Sequence, residues 1–237
     1  LTQEALLRLA VYLLYAALVV GFVVVPIGVF WRYRQKRRSQ RQRLTALGFV
    51  ATENDDLLLP LGEHLHGNPW HRPGMSSLRV RTDGDRATYV VDLHYGDSGT
   101  PSWWGGVLVT SPRLDLPRFT LLPKIANEPA DSSGNRILAR WAAPSRKWVA
   151  LERQPEISSR YVLGAAEPER VERLFDRGCF AWLRAVDGVL ASGEGDLLVV
   201  WADYLSSVSW LGSPGRSVYD RLEITDRLFD LLAGPRG

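Results

Sequence analysis

The sequence predicts an α+β membrane protein: one N-terminal transmembrane helix, then a cytoplasmic domain of antiparallel strands with flanking helices. Three observations predict it. Leu9 to Trp31 is a run of 23 residues without a charged side chain, and Arg32 to Arg43 then carries seven basic ones. Beyond this stem, apolar and polar residues alternate with period two around an Asp-Gly turn, the mark of a β-meander. Near the C-terminus, Ile224, Leu228, Leu231 and Leu232 fall at helical spacing.

At about 1.5 Å per residue the uncharged run reaches roughly 34 Å, enough to cross a hydrocarbon core of about 30 Å. It is expected to form a transmembrane helix over 9–31, preceded by a short outer tail, 1–8. The basic side chains Arg32, Arg34, Lys36, Arg37, Arg38, Arg41 and Arg43 follow the run. They put the C-terminal side in the cytoplasm on the positive-inside rule and suit anionic lipid headgroups. A cleaved secretory signal would carry its charge before the apolar stretch. The chain begins at Leu and its one methionine is Met75, which leaves the outer tail open.

Aromatic residues mark both ends of the run, Tyr12 and Tyr15 on the outer side, Phe30, Trp31 and Tyr33 on the inner. Pro26 is expected to kink it. Ala17 and Gly21 form a small-xxx-small pair against which a second helix could pack. The run holds no His, Asp, Glu, Asn or Gln. Such a helix reads as an anchor, not a proton path, ion site or pigment ligand.

The basic segment 32–48 is expected to continue as a juxtamembrane helix stopped at Gly48. The cytoplasmic domain then occupies 49–237. Eight of the 29 basic residues and one of the 26 acids lie in 1–43, leaving 21 and 25, a net −4 for the remainder. No basic surface remains there to bind nucleic acid. The one cysteine, Cys179, forms no internal disulfide and reads as a small core residue between apolar neighbours.

Within the domain, 49–52 is expected to be a short strand. Leu78 and Val80 alternate with Arg79 and Arg81, Asp83-Gly84 reads as a two-residue hairpin turn, and Ala87 to Tyr95 alternates with one face buried. Ser102 to Ser111 completes the meander. Phe119 to Leu122 reads as a strand bracketed by Pro117 and Pro123. Strands are expected at 137–141, 148–151 and 160–163. Pro168 suits the first turn of a helix carrying Val171, Leu174 and Phe175, and Gly178 breaks it from Phe180–Ala185. Ser192 to Asp196 reads as a hairpin loop between 189–191 and 197–202. The last helix starts near Ser217.

Chemistry-bearing motifs are few. His64, His66 and His71 could ligate zinc or copper, but no Cys lies near and no carboxylate stands at a familiar spacing; a polar loop is the plainer reading. Gly96-Asp97-Ser98-Gly99 is like the active-serine segment of chymotrypsin-like proteases. The mechanism also needs a base histidine held by a buried aspartate; His94, two residues earlier, falls on the polar face of its strand, no second part of the protease pattern appears, and the tetrapeptide is ordinary turn composition. No phosphate loop or dinucleotide fingerprint occurs. Nine tryptophans are the compositional excess. Trp70, Trp104 and the Trp210-Leu211 pair are the expected contacts to partners or headgroups.

Three stretches, Tyr89–Gly99, Leu116–Pro123 and Pro155–Leu163 with the helix after it, resemble a bacterial family of single-span proteins with a cytoplasmic domain and no established function. Residues 124–150 depart from it. The resemblance implies the bacterial cytoplasmic (inner) membrane, N-terminus outside, and an α+β domain; it carries over no activity and no functional residue. The reading is a non-catalytic accessory or scaffold subunit of a larger respiratory, photosynthetic, transport or envelope complex. Its expected partners are other membrane subunits and lipid headgroups, and it needs no cofactor. The alternatives are a tethered hydrolase or metal-dependent enzyme built on the 64–71 loop, and a sensor of a small cytoplasmic ligand.

Overall fold

Gln, Arg and Lys lose little rotamer freedom in a helix, and a long helix, α1 (Val25–Ala46), runs through the basic stem. The structure, a computed structural model, describes residues 25–53, 74–95, 102–124, 147–148, 154–176, 178–201 and 217–233, and positions 3, 8, 11, 12, 14, 15, 20 and 21. It divides into two units, residues 1–50 and 51–237.

In the first unit, Gly48 takes φ +83. Its N–H donates to Thr45 O and the Phe49 N–H to Leu44 O, both at 3.0 Å. This is a Schellman stop, in which glycine adopts the left-handed conformation without a Cβ clash. Leu44 and Phe49, the positions such a stop draws together, are both buried. Among the described residues no helix is long and apolar enough to cross a membrane. Ten residues of the expected 9–31 span lie outside the described ones.

In the second unit, antiparallel strands form one sheet. They are β1 (Val50–Ala51, at the unit boundary), β2 (Gly74–Asp83), β3 (Arg86–Tyr95), β4 (Ser102–Thr110), β5 (Leu116–Pro123), β6 (Lys147–Trp148), β7 (Tyr161–Ala165), β8 (Ala191–Gly195) and β9 (Leu197–Trp201). Their order is β1-β2-β3-β4-β9-β8-β5-β7-β6. The β2-β3-β4 meander pairs as the alternation predicts. The helices are α2 (Pro155–Arg160), α3 (Pro168–Phe175), α4 (Cys179–Ala185) and α5 (Val218–Ala233).

Two hairpins share one device. Asp83 pairs with Arg86 across Gly84-Asp85, and Glu194 with Leu197 across Gly195-Asp196. Gly84 has φ +59 and Gly195 φ +58, the positive value that primed two-residue turns need at their first central position. The first turn is therefore shifted one residue from the expected Asp83-Gly84. The second is much shorter than the expected loop, because Ser192 and Gly193 belong to β8. Ser192 is buried, with Trp201 Nε1 donating to its Oγ at 3.5 Å. A Cβ on Gly193 would stand 2.6 Å from Phe119 Cε1, so the missing side chain is where that ring lies.

One sheet face carries the main core. Val109, Phe119, Leu121, Leu163, Ala191, Leu198 and Val200 pack with Ile157 of α2, Val171 and Phe175 of α3, Phe180 and Leu183 of α4, and Leu228 and Phe229 of α5. Phe175 meets Phe119 edge-on at 5.2 Å. The opposite face carries a second cluster, Leu78, Val91, Leu108, Leu197, Val199 and Trp201. The single buried face expected for β3 is thus incomplete: Thr88 and Val90, on its other side, are buried as well. On that side Arg86 pairs with Asp226 of α5. Prolines 117 and 123 lie within β5 instead of bracketing it. Pro117 coincides with the break in register between Leu116 and Phe119, where no ladder N–H is required.

Candidate functional site

The residues singled out by the sequence fall mostly in the first unit. Tyr12, Tyr15 and Trp31 stand exposed, Trp31 at 69 %. Phe30 and Tyr33 lie on α1, as do Arg32, Lys36 and Arg37. Arg34, Arg38, Arg41 and Arg43 are exposed along it. A Cβ on Gly21 would meet nothing within 4 Å, so that position offers an open face. Its expected partner Ala17 lies outside the described residues, as do Trp70, Trp210, Leu211, the histidines at 64, 66 and 71, and the 96–99 segment. Trp104 is on β4, paired with Leu93. Among the described residues no group of three or more His, Cys, Asp or Glu could hold a metal.

Cys179 opens α4 and is fully buried. Burial pushes its thiol up to about 12. The thiolate is the nucleophile, so this cysteine is a core residue, as its sequence neighbours suggest.

Among the described residues of the second unit, the start of α5 holds a polar arrangement in which one side chain has two buried, unpaired donors. Ser217 and Asp220 cap that helix reciprocally. The Ser217 N–H donates to Asp220 Oδ2 at 2.8 Å, and the Asp220 N–H to Ser217 Oγ at 3.2 Å. One residue on, Arg221 turns into the sheet and is 9 % exposed. It lies on the same stripe as Thr225, Leu228 and Leu232, at i, i+4, i+7 and i+11, all buried. Its guanidinium rests against β4 at Gly105, where a Cβ would stand 2.5 Å from Nη1 and 3.3 Å from Cζ and Nη2. Gly105 is registered with Asp92 of β3, and Ser77 Oγ donates to Asp92 Oδ2 at 3.0 Å.

The electrostatics are one-sided. Desolvation by burial lowers the Arg221 pKa, and the charges of Asp92 and then Asp220 act the other way. Nε and Nη1 are buried without a hydrogen-bond partner. Arginine keeps its proton under all ordinary conditions. The site therefore holds a permanent cation with open donors, two of them shut away from solvent. On the same helix, the half-buried contact with Arg86 differs, although Arg86 Nε too is buried without a hydrogen-bond partner. Arg86 pairs with Asp226 and lies 4.4 Å from the Phe229 ring centroid.

Sequence reasoning passed over Arg221. The signal was a charged residue placed on the apolar stripe of an amphipathic helix, together with paired glycines, Gly105-Gly106, inside an otherwise apolar strand. Glycine within a strand marks close approach by another group. Compared with family models, with curated proteins and with solved structures, the chain matches none.

Proposed function

We propose that this protein is a single-pass, membrane-anchored accessory or scaffold subunit of a larger membrane complex in the bacterial cytoplasmic membrane, with the second unit on the cytoplasmic side. One observation carries the reading. Among the described residues, every large apolar side chain that stands exposed lies between Val11 and Val50: Val11, Tyr12, Leu14, Tyr15, Val20, Ile27, Trp31, Leu47 and Val50. The described residues of the second unit include none. Apolar surface of this kind marks contact with lipid or protein. The exposed arginines of α1 follow the members from Val11 to Trp31, in the order expected where a helix leaves the bilayer. Anionic headgroups and neighbouring subunits are the partners this chemistry fits.

The test is gentle detergent extraction through a C-terminal tag, followed by mass spectrometry of the material that co-migrates at fixed ratio. A defined set of membrane proteins is expected. Gly21→Ile, which fills the open helix face, should cut their recovery several-fold while leaving the protein in the membrane. Recovery of a lone chain or a homo-oligomer would overturn the accessory reading.

A further inference from the structure

We infer that Arg221 is the recognition group of a binding site for a small oxyanion, a carboxylate- or phosphate-bearing ligand, on the sheet at Gly105. The inference is independent of the membrane reading, since it rests on α5, β3 and β4 alone.

A buried guanidinium with no hydrogen bond is costly. Native proteins pair nearly all their buried polar atoms, and a buried charge needs partners most of all. Arg221 cannot escape by losing its proton. The largest favourable charge, Asp92, acts electrostatically, but neither Nε nor Nη1 of Arg221 has a hydrogen-bond partner. Asp92 instead accepts from Ser77 Oγ. Arg86, packed against the same helix, has a carboxylate in direct contact and a ring over its plane, and only its Nε is left unpaired. Arg221 has neither.

The strand leaves room for it. A methyl at position 105 would stand 2.5 Å from Nη1, so the guanidinium would have to shift from where it lies. Guanidinium presents a rigid fork of donors that matches the two oxygens of a carboxylate or phosphate. Asp92 beside the cation repels a bare dianion. It favours ligands that carry a hydroxyl or ammonium donor next to the oxyanion, such as hydrogen phosphate, a phosphomonoester or an amino acid.

The experiment measures thermal unfolding of the full chain in detergent, at constant ionic strength. The probes are inorganic phosphate, succinate, alanine and a soluble short-chain phosphatidic acid. A ligand bound only by the native state raises Tm with the logarithm of its concentration above Kd. The wild type is expected to show this for at least one probe. Arg221→Met should weaken the apparent affinity roughly thirtyfold or more. Gly105→Ala, which keeps the charge but displaces Nη1, serves where Arg221→Met does not fold, and should weaken it at least tenfold. A shift with phosphatidic acid alone makes the ligand a lipid headgroup; a shift with a free anion makes it a soluble molecule. A wild type that no probe shifts would leave Arg221 a hydrated structural cation and overturn the site. A shift that survives unchanged in folded Arg221→Met or Gly105→Ala would do the same.

Discussion

Cys179 shows how burial alone decides the chemistry of a side chain. Its sulfur sits in the core with Phe175, Phe180 and Leu183, and its thiol is pushed from 9.0 up to about 12. The consequence for stability has a definite sign. Below pH 9 the thiol is neutral in both folded and unfolded chains and costs nothing. Between about 9 and 12 only the unfolded chain ionises, so stability falls by about 1.4 kcal/mol per pH unit from this group. Urea melts at pH 8 and pH 10.5 should therefore show the wild type losing about 2 kcal/mol more than Cys179→Ala over that interval. Equal losses would mean the thiol ionises in place. Arg221 is the opposite case, because a guanidinium has no neutral form to retreat to and burial leaves it short of partners instead. Cys179 was legible in the sequence as a core residue. Arg221 was not, because its meaning depends on Gly105 and Asp92, which lie more than 100 residues away in the chain and meet it only in the folded sheet.

At the level of elements, local pattern predicted what local pattern controls. The meander, α3 with Pro168 in its first turn, the break at Gly178 and the start of α5 near Ser217 were all readable, since each rests on periodicity or on residues close in the chain. The misreadings concern positions decided by neighbouring strands. Ser192 and Gly193 have loop composition, yet β5 on one side and β9 on the other hold them extended, with the Phe119 ring over the glycine. The short helix α2 was missed because six residues are too few to establish a period; Ile157 buries it. Tyr161 ties these pieces together. Its hydroxyl donates to Val186 O at 2.5 Å and accepts the Val189 N–H at 3.4 Å, pinning the connection between α4 and β8 to β7. Tyr161→Phe keeps the ring and leaves both backbone groups unmet, so it should cost about 1–3 kcal/mol in denaturant unfolding. A loss under about 0.5 kcal/mol would mean that water restores the two bonds.

For the molecule as a whole, the division into two units separates two kinds of surface. Among the described residues, the second unit packs two clusters of apolar side chains on the two faces of one sheet. The first displays them beside a row of arginines. Mixed composition hides this contrast: a net charge of +3 describes neither part. An N-out, C-in orientation makes a prediction that the single buried cysteine renders simple to check. In a Cys179→Ala background, Thr2→Cys would carry the only thiol on the outer side of the span. Arg43→Cys, at an exposed position near the C-terminal end of α1, would carry it on the inner side. In intact cells a membrane-impermeant maleimide should label the first and spare the second, and permeabilisation should label both. The reverse pattern would place the second unit outside and remove the cytoplasmic assignment. Labelling of both positions in intact cells, or release of the full chain by alkaline carbonate, would mean that the apolar run does not cross the bilayer. The exposed residues from Val11 to Val50 would then have to be covered by protein instead of lipid, because apolar surface of that extent is not left to water.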